Sequence, residues 1–312
     1  MRSLVVLALA TGCYGDGEGL SVFVPTYDYG TDVECTLDAC AIATGTTIDL
    51  EVGHWASDTT TAAMPERITI EPEGIVAIDS VDDVVVVRAL SPGDAAITFE
   101  ETGYDGLPYV VTQQLQVRDV ASVAIVPRRD GAALLDPGGV LHVLDGSTVT
   151  LRADRRGPDG EYLFGATTEA WSASPDAVLS ATGTTGTQQK VELHGLGALD
   201  IRFGAGTLAV ARVAASVVAR ARLRVAERPA LVAGDGETLH VPEHASFVYV
   251  LDAFDGTGTY VAGTGAPGDV SVQGYGVRVL PIERTYAIEP GGDRLLTATV
   301  GPVTIAVTID FP

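Results

Sequence analysis

Thr47-Ile48-Asp49-Leu50-Glu51-Val52 alternates polar and apolar side chains, and Arg67-Ile68-Thr69-Ile70 does so again. A period of two places successive side chains on opposite faces of a β-strand, so such runs bury one face and leave the other in water. Val84-Val85-Val86-Val87 adds a short continuous apolar run. Gly, Pro and Asp interrupt the pattern about every 8 to 12 residues, the turn spacing of antiparallel sandwiches. Stretches of helical period are scarce. Residues 209–225 fit an amphipathic helix by composition, and their place at the end of a repeat favours a strand.

The pattern repeats. A strand beginning near Thr47 recurs near Thr148 and near Ser246, which gives units of about 100 residues. Late in each unit a turn feeds a strand: Ser91-Pro92-Gly93-Asp94-Ala95-Ala96-Ile97-Thr98-Phe99, Gly195-Leu196-Gly197-Ala198-Leu199-Asp200-Ile201-Arg202-Phe203 and Pro290-Gly291-Gly292-Asp293-Arg294-Leu295-Leu296-Thr297. The second unit precedes this with Trp171-Ser172-Ala173-Ser174-Pro175-Asp176-Ala177-Val178-Leu179, and the first with Ile70-Glu71-Pro72-Glu73-Gly74-Ile75-Val76-Ala77-Ile78. These segments resemble bacterial immunoglobulin-like domains of group 2 (BIG2-like). The third unit keeps the late Pro-Gly turn and has Val270-Ser271-Val272 where the tryptophan segment stands in the second. The expectation is an all-β chain of tandem immunoglobulin-like β-sandwich domains at 35–119, 120–227 and 228–312, joined near Val117-Arg118-Asp119-Val120 and Glu227-Arg228-Pro229.

The N-terminus has a different character. Arg2 is followed by an apolar run from Leu4 to Ala10 and then Ala10-Thr11-Gly12-Cys13. Charge, apolar stretch and small residues in that order form an export signal, and the run falls well short of the roughly 20 residues of a membrane span. The closing tetrad resembles the bacterial lipoprotein signal, the lipobox, with Ala10 at its Leu-favoured first position. That resemblance implies cleavage after residue 12, a diacylglyceryl group on Cys13 with further acylation such as palmitate, and a lipid-anchored protein of the cell envelope, at the outer membrane. An ordinary secretory signal is the alternative. Residues 13–34, rich in Gly, Asp, Tyr and Thr, are expected to form a flexible tether.

Two cysteines remain once Cys13 is assigned. Cys35 and Cys40 enclose Thr36-Leu37-Asp38-Ala39, and an oxidising envelope favours a disulfide between them. A loop so short contributes about 2 kcal/mol by chain entropy. A zinc site is the alternative, and it needs more ligands than the neighbouring sequence offers.

A formal net charge of -22, with 41 acidic against 19 basic residues, excludes a nucleic-acid binder, which needs a positive footprint. Within this acidic chain Arg220, Arg222 and Arg224 alternate with Ala221, Leu223 and Val225. As a strand they form a guanidinium stripe, facing either cross-strand acids or an anionic partner. The turns carrying Asp235 and Glu237, and Asp252 and Asp255, are the tentative ligand loops. Their oxygens can serve Ca²⁺, which takes six to eight, or simply shape Asp-Gly turns. His240 and His244 have Pro242 between them, which breaks a helical metal spacing. His54, His142 and His194 stand singly. Trp55 and Trp171 suit core packing, with a sugar-stacking face as the alternative.

No nucleophile elbow, phosphate loop or complete metal set occurs in the sequence. The expectation is a non-catalytic envelope protein without cofactor, used for binding, adhesion or spacing, with an envelope protein or a glycan as partner. A calcium-dependent adhesin or glycan-binding protein is the alternative, and an envelope hydrolase a further one, which would require ionisable groups converging in a cleft.

Overall fold

The computed structural model describes residues 19–23, 27–28, 34–35, 40–56, 59–102, 106–128, 130–174, 177–181, 186–226, 228–241, 247–264, 271–273, 277–280, 284–288 and 294–310. The export signal, Cys13 and His244 lie outside the described residues. Among the described residues there is no α-helix, only strands and two 3-10 turns, Gly131–Leu134 and Ala215–Val217. The chain forms two compact units, 1–124 with 154–169 and 183–187, and 125–153 with 170–182 and 188–312.

The first unit contains β1 (Gly19–Phe23), β2 (Tyr27–Asp28), β3 (Glu34–Cys35), β4 (Ala41–Ala43), β5 (Thr47–Ala56), β6 (Thr59–Ala62), β7 (Arg67–Glu71), β8 (Val76–Val81), β9 (Val85–Ala89), β10 (Gly93–Thr102) and β11 (Pro108–Arg118). One sheet runs β1-β5-β9-β8, with β6 also on β5, and the other includes β4-β11-β10-β7. Alternation decides which side chains meet between them: Ile48 and Leu50 from one sheet and Ile97, Phe99 and Leu115 from the other share a core, each at most 1 % exposed. Each such side chain contributes about 1.5–3 kcal/mol on leaving water. The strand order, with β4 crossing to lie parallel to β11, is that of an immunoglobulin-like sandwich.

β1 falls inside the stretch expected to be a tether. Leu20 and Val22 pack against the first core, and Gly19 to Phe23 pair with Trp55 to Glu51. The alternation of Leu20, Ser21 and Val22 is a strand signal that the surrounding glycines obscure, so the tether expectation does not hold at residues 19–23.

The second unit repeats the arrangement twice. Its first set comprises β12 (Ser122–Pro127), β13 (Val140–Leu144), β14 (Thr148–Arg156), β16 (Trp171–Ala173), β17 (Ala177–Ala181), β18 (Gln188–Leu193), β19 (Gly197–Phe203) and β20 (Gly206–Val213). Both β12 and β14 have one end in the first unit. One sheet has β17-β18-β14 with β12 on β14, and the other β16-β19-β20-β13. β15 (Tyr162–Phe164), the strand that returns after β14, lies in the first unit.

The last set comprises β21 (Val218–Val225), β22 (Val232–Ala233), β23 (Thr238–His240), β24 (Phe247–Asp255), β25 (Val261–Ala262), β26 (Ser271–Gln273), β27 (Val277–Val279), β28 (Thr285–Ile288), β29 (Arg294–Val300) and β30 (Val303–Asp310). Its sheets are β22-β21-β24-β28-β27 and β23-β30-β29-β26. They enclose a core to which Leu223, Leu251, Ile288, Leu296 and Ile305 belong.

Residues 209–225 are therefore two strands around a 3-10 turn, and the helical alternative falls away. Val218, Ala221, Leu223 and Val225 pack in the last core, so the stretch 218–225, placed above in the second domain, belongs to the third sandwich. The Arg228-Pro229 segment lies in the turn between β21 and β22, where Leu231 N–H donates to the Arg228 carbonyl, and is not a joint. The proline resembled a linker because a hairpin turn uses the same residues.

Candidate functional site

The arginine stripe occupies the outer face of β21, because Ala221, Leu223 and Val225 turn inward. Antiparallel register sets Arg220 opposite Phe254, Arg222 opposite Asp252 and Arg224 opposite Val250. Arg224 Nε donates to Asp252 Oδ2 at 2.8 Å and its Nη2 donates to Asp130 Oδ2. Arg222 Nε lies 3.5 Å from the same Asp252 oxygen. The Arg220 and Arg222 guanidiniums sit 4.9 and 4.8 Å from the Phe254 ring centre. The Asp252 and Arg224 side chains are only 4 % and 9 % exposed, so their charges are buried and must be paired. The cross-strand Asp252 thus answers Arg222 and Arg224, as one of the two readings expects. No local pattern marks Asp130, which arrives from the turn after β12.

The four residues of the tentative ligand loops are held separately. Asp235 Oδ1 accepts from Ala306 N–H at 2.8 Å, and Glu237 Oε2 from Gly234 N–H at 2.6 Å. Asp255 Oδ1 accepts from Thr257 N–H, Thr257 Oγ1 and Thr259 N–H at 2.7–2.9 Å. Burial raises the Asp255 pKa, but the hydrogen bonds from Thr257 and Thr259, with the field of His142, outweigh it and leave it below the ordinary value. Asp252 serves the arginines. Among the described residues no three His, Cys, Asp or Glu side chains gather as a metal set. Asp235 and Glu237 do border a shallow groove of about 450 Å³ with Arg220, Arg222, Val232 and Ile305. Its rim carries both signs of charge.

The histidines also find partners. His142 Nε2 is 3.0 Å from Asp136 Oδ2, and Asp136 Oδ1 accepts from Gly138 and Val140 N–H at 2.8 and 2.9 Å. The Val140 N–H first, then His142, hold the Asp136 carboxyl below its usual range. His194 lies 3.4 Å from Glu192, and His240 Nδ1 lies 2.7 Å from Asp310 Oδ2. His54 is buried, its ring 5.6 Å from that of Tyr109. Trp171 rests on buried Phe203 at 4.9 Å, which supports packing rather than an open sugar platform. The Trp55 side chain lies outside the described residues.

One arrangement is built twice. In the first unit β15 adds to the outer edge of β4, parallel, with Leu163 opposite Ala41 and Phe164 opposite Ile42. In the second, β25 adds to β13, parallel, with Val261 opposite His142 and Ala262 opposite Val143. Each added strand is followed by a glycine with positive φ, Gly165 at 118° and Gly263 at 107°. A Cβ on either would run into a hydroxyl, Thr46 Oγ1 or Ser147 Oγ. Those hydroxyls in turn donate back to Ala43 and Leu144 carbonyls at 2.7 and 2.6 Å.

The residues that follow bridge in pairs, Thr47 with Ala166 and Thr148 with Thr264. A buried arginine steadies each added strand from behind: Arg155 donates to the Gly165 carbonyl and Arg284 to the Val261 carbonyl. Phe164 is fully buried in the first core, although the sequence places it in the second repeat. The matching Leu-Phe-Gly and Val-Ala-Gly triplets were the available signal.

No family model and no curated protein matches this chain. Solved structures similar to it include domains 4–9 of the surface layer protein SbsC, 16 % identical with a TM-score of 0.34 over 93 % of this chain and 47 % of that one. The chain thus spans about half the length of that structure. Others are invasin, a bacterial integrin-binding protein, at 13 % identity and TM-score 0.25 over 94 % and 60 %, and the Escherichia coli adhesin FdeC, at 11 % and 0.24 over 95 % and 96 %. At such scores the fold rests on the strand order described above.

Proposed function

We propose that this chain is a non-catalytic protein of the cell envelope, lipid-anchored through Cys13, whose tandem immunoglobulin-like domains serve binding, adhesion or spacing. The observation that supports this reading best is the twice-built strand addition. At each place where a strand of one repeat enters the sheet of the repeat before it, a buried arginine (Arg155, Arg284), a glycine with positive φ (Gly165, Gly263) and a buried hydroxyl (Thr46, Ser147) come together.

Cys13 stands six residues before β1, so in this proposal the lipid lies close to the first sandwich. Cys35 ends β3 and Cys40 immediately precedes β4, and a disulfide between them belongs to the same proposal. The test is palmitate labelling with membrane fractionation of the wild type and Cys13→Ala. Loss of label and membrane retention with folding intact is expected, while equal labelling of the two would overturn the anchor. Reproducible turnover of a peptide, ester or glycan by the mature chain, abolished by one ionisable substitution, would overturn the non-catalytic assignment.

A further inference from the structure

Three strands occupy the same place in the three sandwiches, and two of them are covered on both edges. β4 lies between β11 and β15, and β13 between β20 and β25, whereas β23 ends its sheet with β30 on one side and no described strand on the other. Register aligns the three. Ala43 is opposite Arg118, Leu144 opposite Val213 and His240 opposite Asp310, and in each case the next backbone N–H, of Thr44, Asp145 or Val241, donates to that partner's carbonyl. The preceding residues Ile42, Val143 and Leu239 all point inward, 1 %, 0 % and 2 % exposed. The strand that accepts an addition in the first two sandwiches is therefore present in the third with the same inward anchor.

We propose that the outer edge of β23, Thr238–His240, is a binding site for a short extended segment of a partner protein, apolar-apolar-glycine in sequence, entering parallel to β23. The occupied edges define this chemistry: Leu163-Phe164-Gly165 and Val261-Ala262-Gly263 are the two segments that fill them. Main-chain pairing supplies the attachment and the side chains the selectivity, as in other cases of strand addition. The glycine allows the close approach that a Cβ would prevent at both occupied edges.

While empty, the edge is kept from sticking to itself. It is three residues long, and where the covered edges have Ala43 and Leu144 it carries exposed His240, paired with Asp310. Shortness and polar or charged side chains are the usual protection of a free edge. The proposal deepens the binding reading given above and does not depend on the lipid anchor.

The test adds a peptide of residues 159–167, which contains β15, to the full chain. Slower hydrogen exchange at Thr238–Val241 is expected, with no such effect from the same peptide carrying Gly165→Val. Register further sets position 163 of the peptide opposite Thr238. A Leu163→Cys peptide, supplied as its mixed disulfide with thionitrobenzoate, should therefore exchange with the thiolate of Thr238→Cys, releasing thionitrobenzoate, at least tenfold faster than with the exposed control Val178→Cys. Unchanged exchange at Thr238–Val241 under millimolar peptide, or equal cross-linking rates at the two cysteines, would overturn the proposal. Palmitate labelling of Cys13 is unaffected by either outcome.

Discussion

Asp252 shares one oxygen, Oδ2, between Arg224 and Arg222, in a place where only 4 % of its side chain meets solvent. Removing one partner of a buried pair leaves a charge that neither water nor protein satisfies. Asp252→Ala is therefore expected to cost about 3–5 kcal/mol in urea unfolding, and Asp130→Ala less, since 26 % of that side chain is exposed. Equal, negligible effects would show that the arginines find other partners. The positive-φ glycines act more locally: Gly263→Ala meets both an unfavourable φ and Ser147 Oγ, and about 1–3 kcal/mol of destabilisation is expected. Acid should act through Asp136 and Asp255. Both carboxyls are held below their ordinary pKa in the folded chain, so their contribution is present above the ordinary value near 3.8 and is lost as pH falls through the lower, folded one. Thermal melts from pH 7 to pH 2 should show an acid loss that is smaller in Asp136→Asn, and an unchanged acid limb in that variant would contradict this.

At the scale of strands, the long alternating runs were legible and the short ones were not. Thr47–Val52 and Gly93–Phe99 carry three or more periods of inward and outward side chains, enough to mark β5 and β10. β15 and β25 have three and two residues, too few for any period, and their role depends on partners more than a hundred residues away. The arginine stripe was legible as a strand face, and Asp252 lay among the named acids, but their union needed the register of β21 with β24. Asp130 could not be reached by any local pattern. The same physics explains the displaced boundary. Alternation in Arg220–Val225 fixes a strand but not which sandwich receives its apolar face, and that is decided by Leu251 and Leu296 across the core. The added strands also make a prediction at this scale: exchange of the Thr264 and Ala166 amides, which donate to Thr148 and Thr47 carbonyls at 3.0 and 2.7 Å, should be slow, and faster in Gly263→Ala and Gly165→Ala respectively. Exchange as fast as that of an open loop in the unaltered chain would show that the additions do not persist in solution.

For the whole molecule, the proposal joins an acidic, all-β chain to a lipid at one end and a binding edge in the last sandwich. Proteases that cut after arginine should find Arg118, next to the short connection before β12, but β15 pairs with β4 and buries Phe164 in the first core, so the fragments should stay associated until denaturant is added. Arg228 lies in a hairpin turn whose strands share one core, so a cut there should leave the fragments associated until denaturant is added. Separation of the two fragments without denaturant would contradict the assignment of β21 to the third sandwich. The lipid anchor rests on Ala10-Thr11-Gly12-Cys13 and is open to one direct measurement, intact and peptide-level mass spectrometry of the protein recovered from membranes of the producing cell. The proposal predicts a chain that begins at Cys13 and carries the added mass of a diacylglyceryl group with a further acyl chain on its amine. A chain that begins at Met1, or at any other residue without lipid, would contradict it.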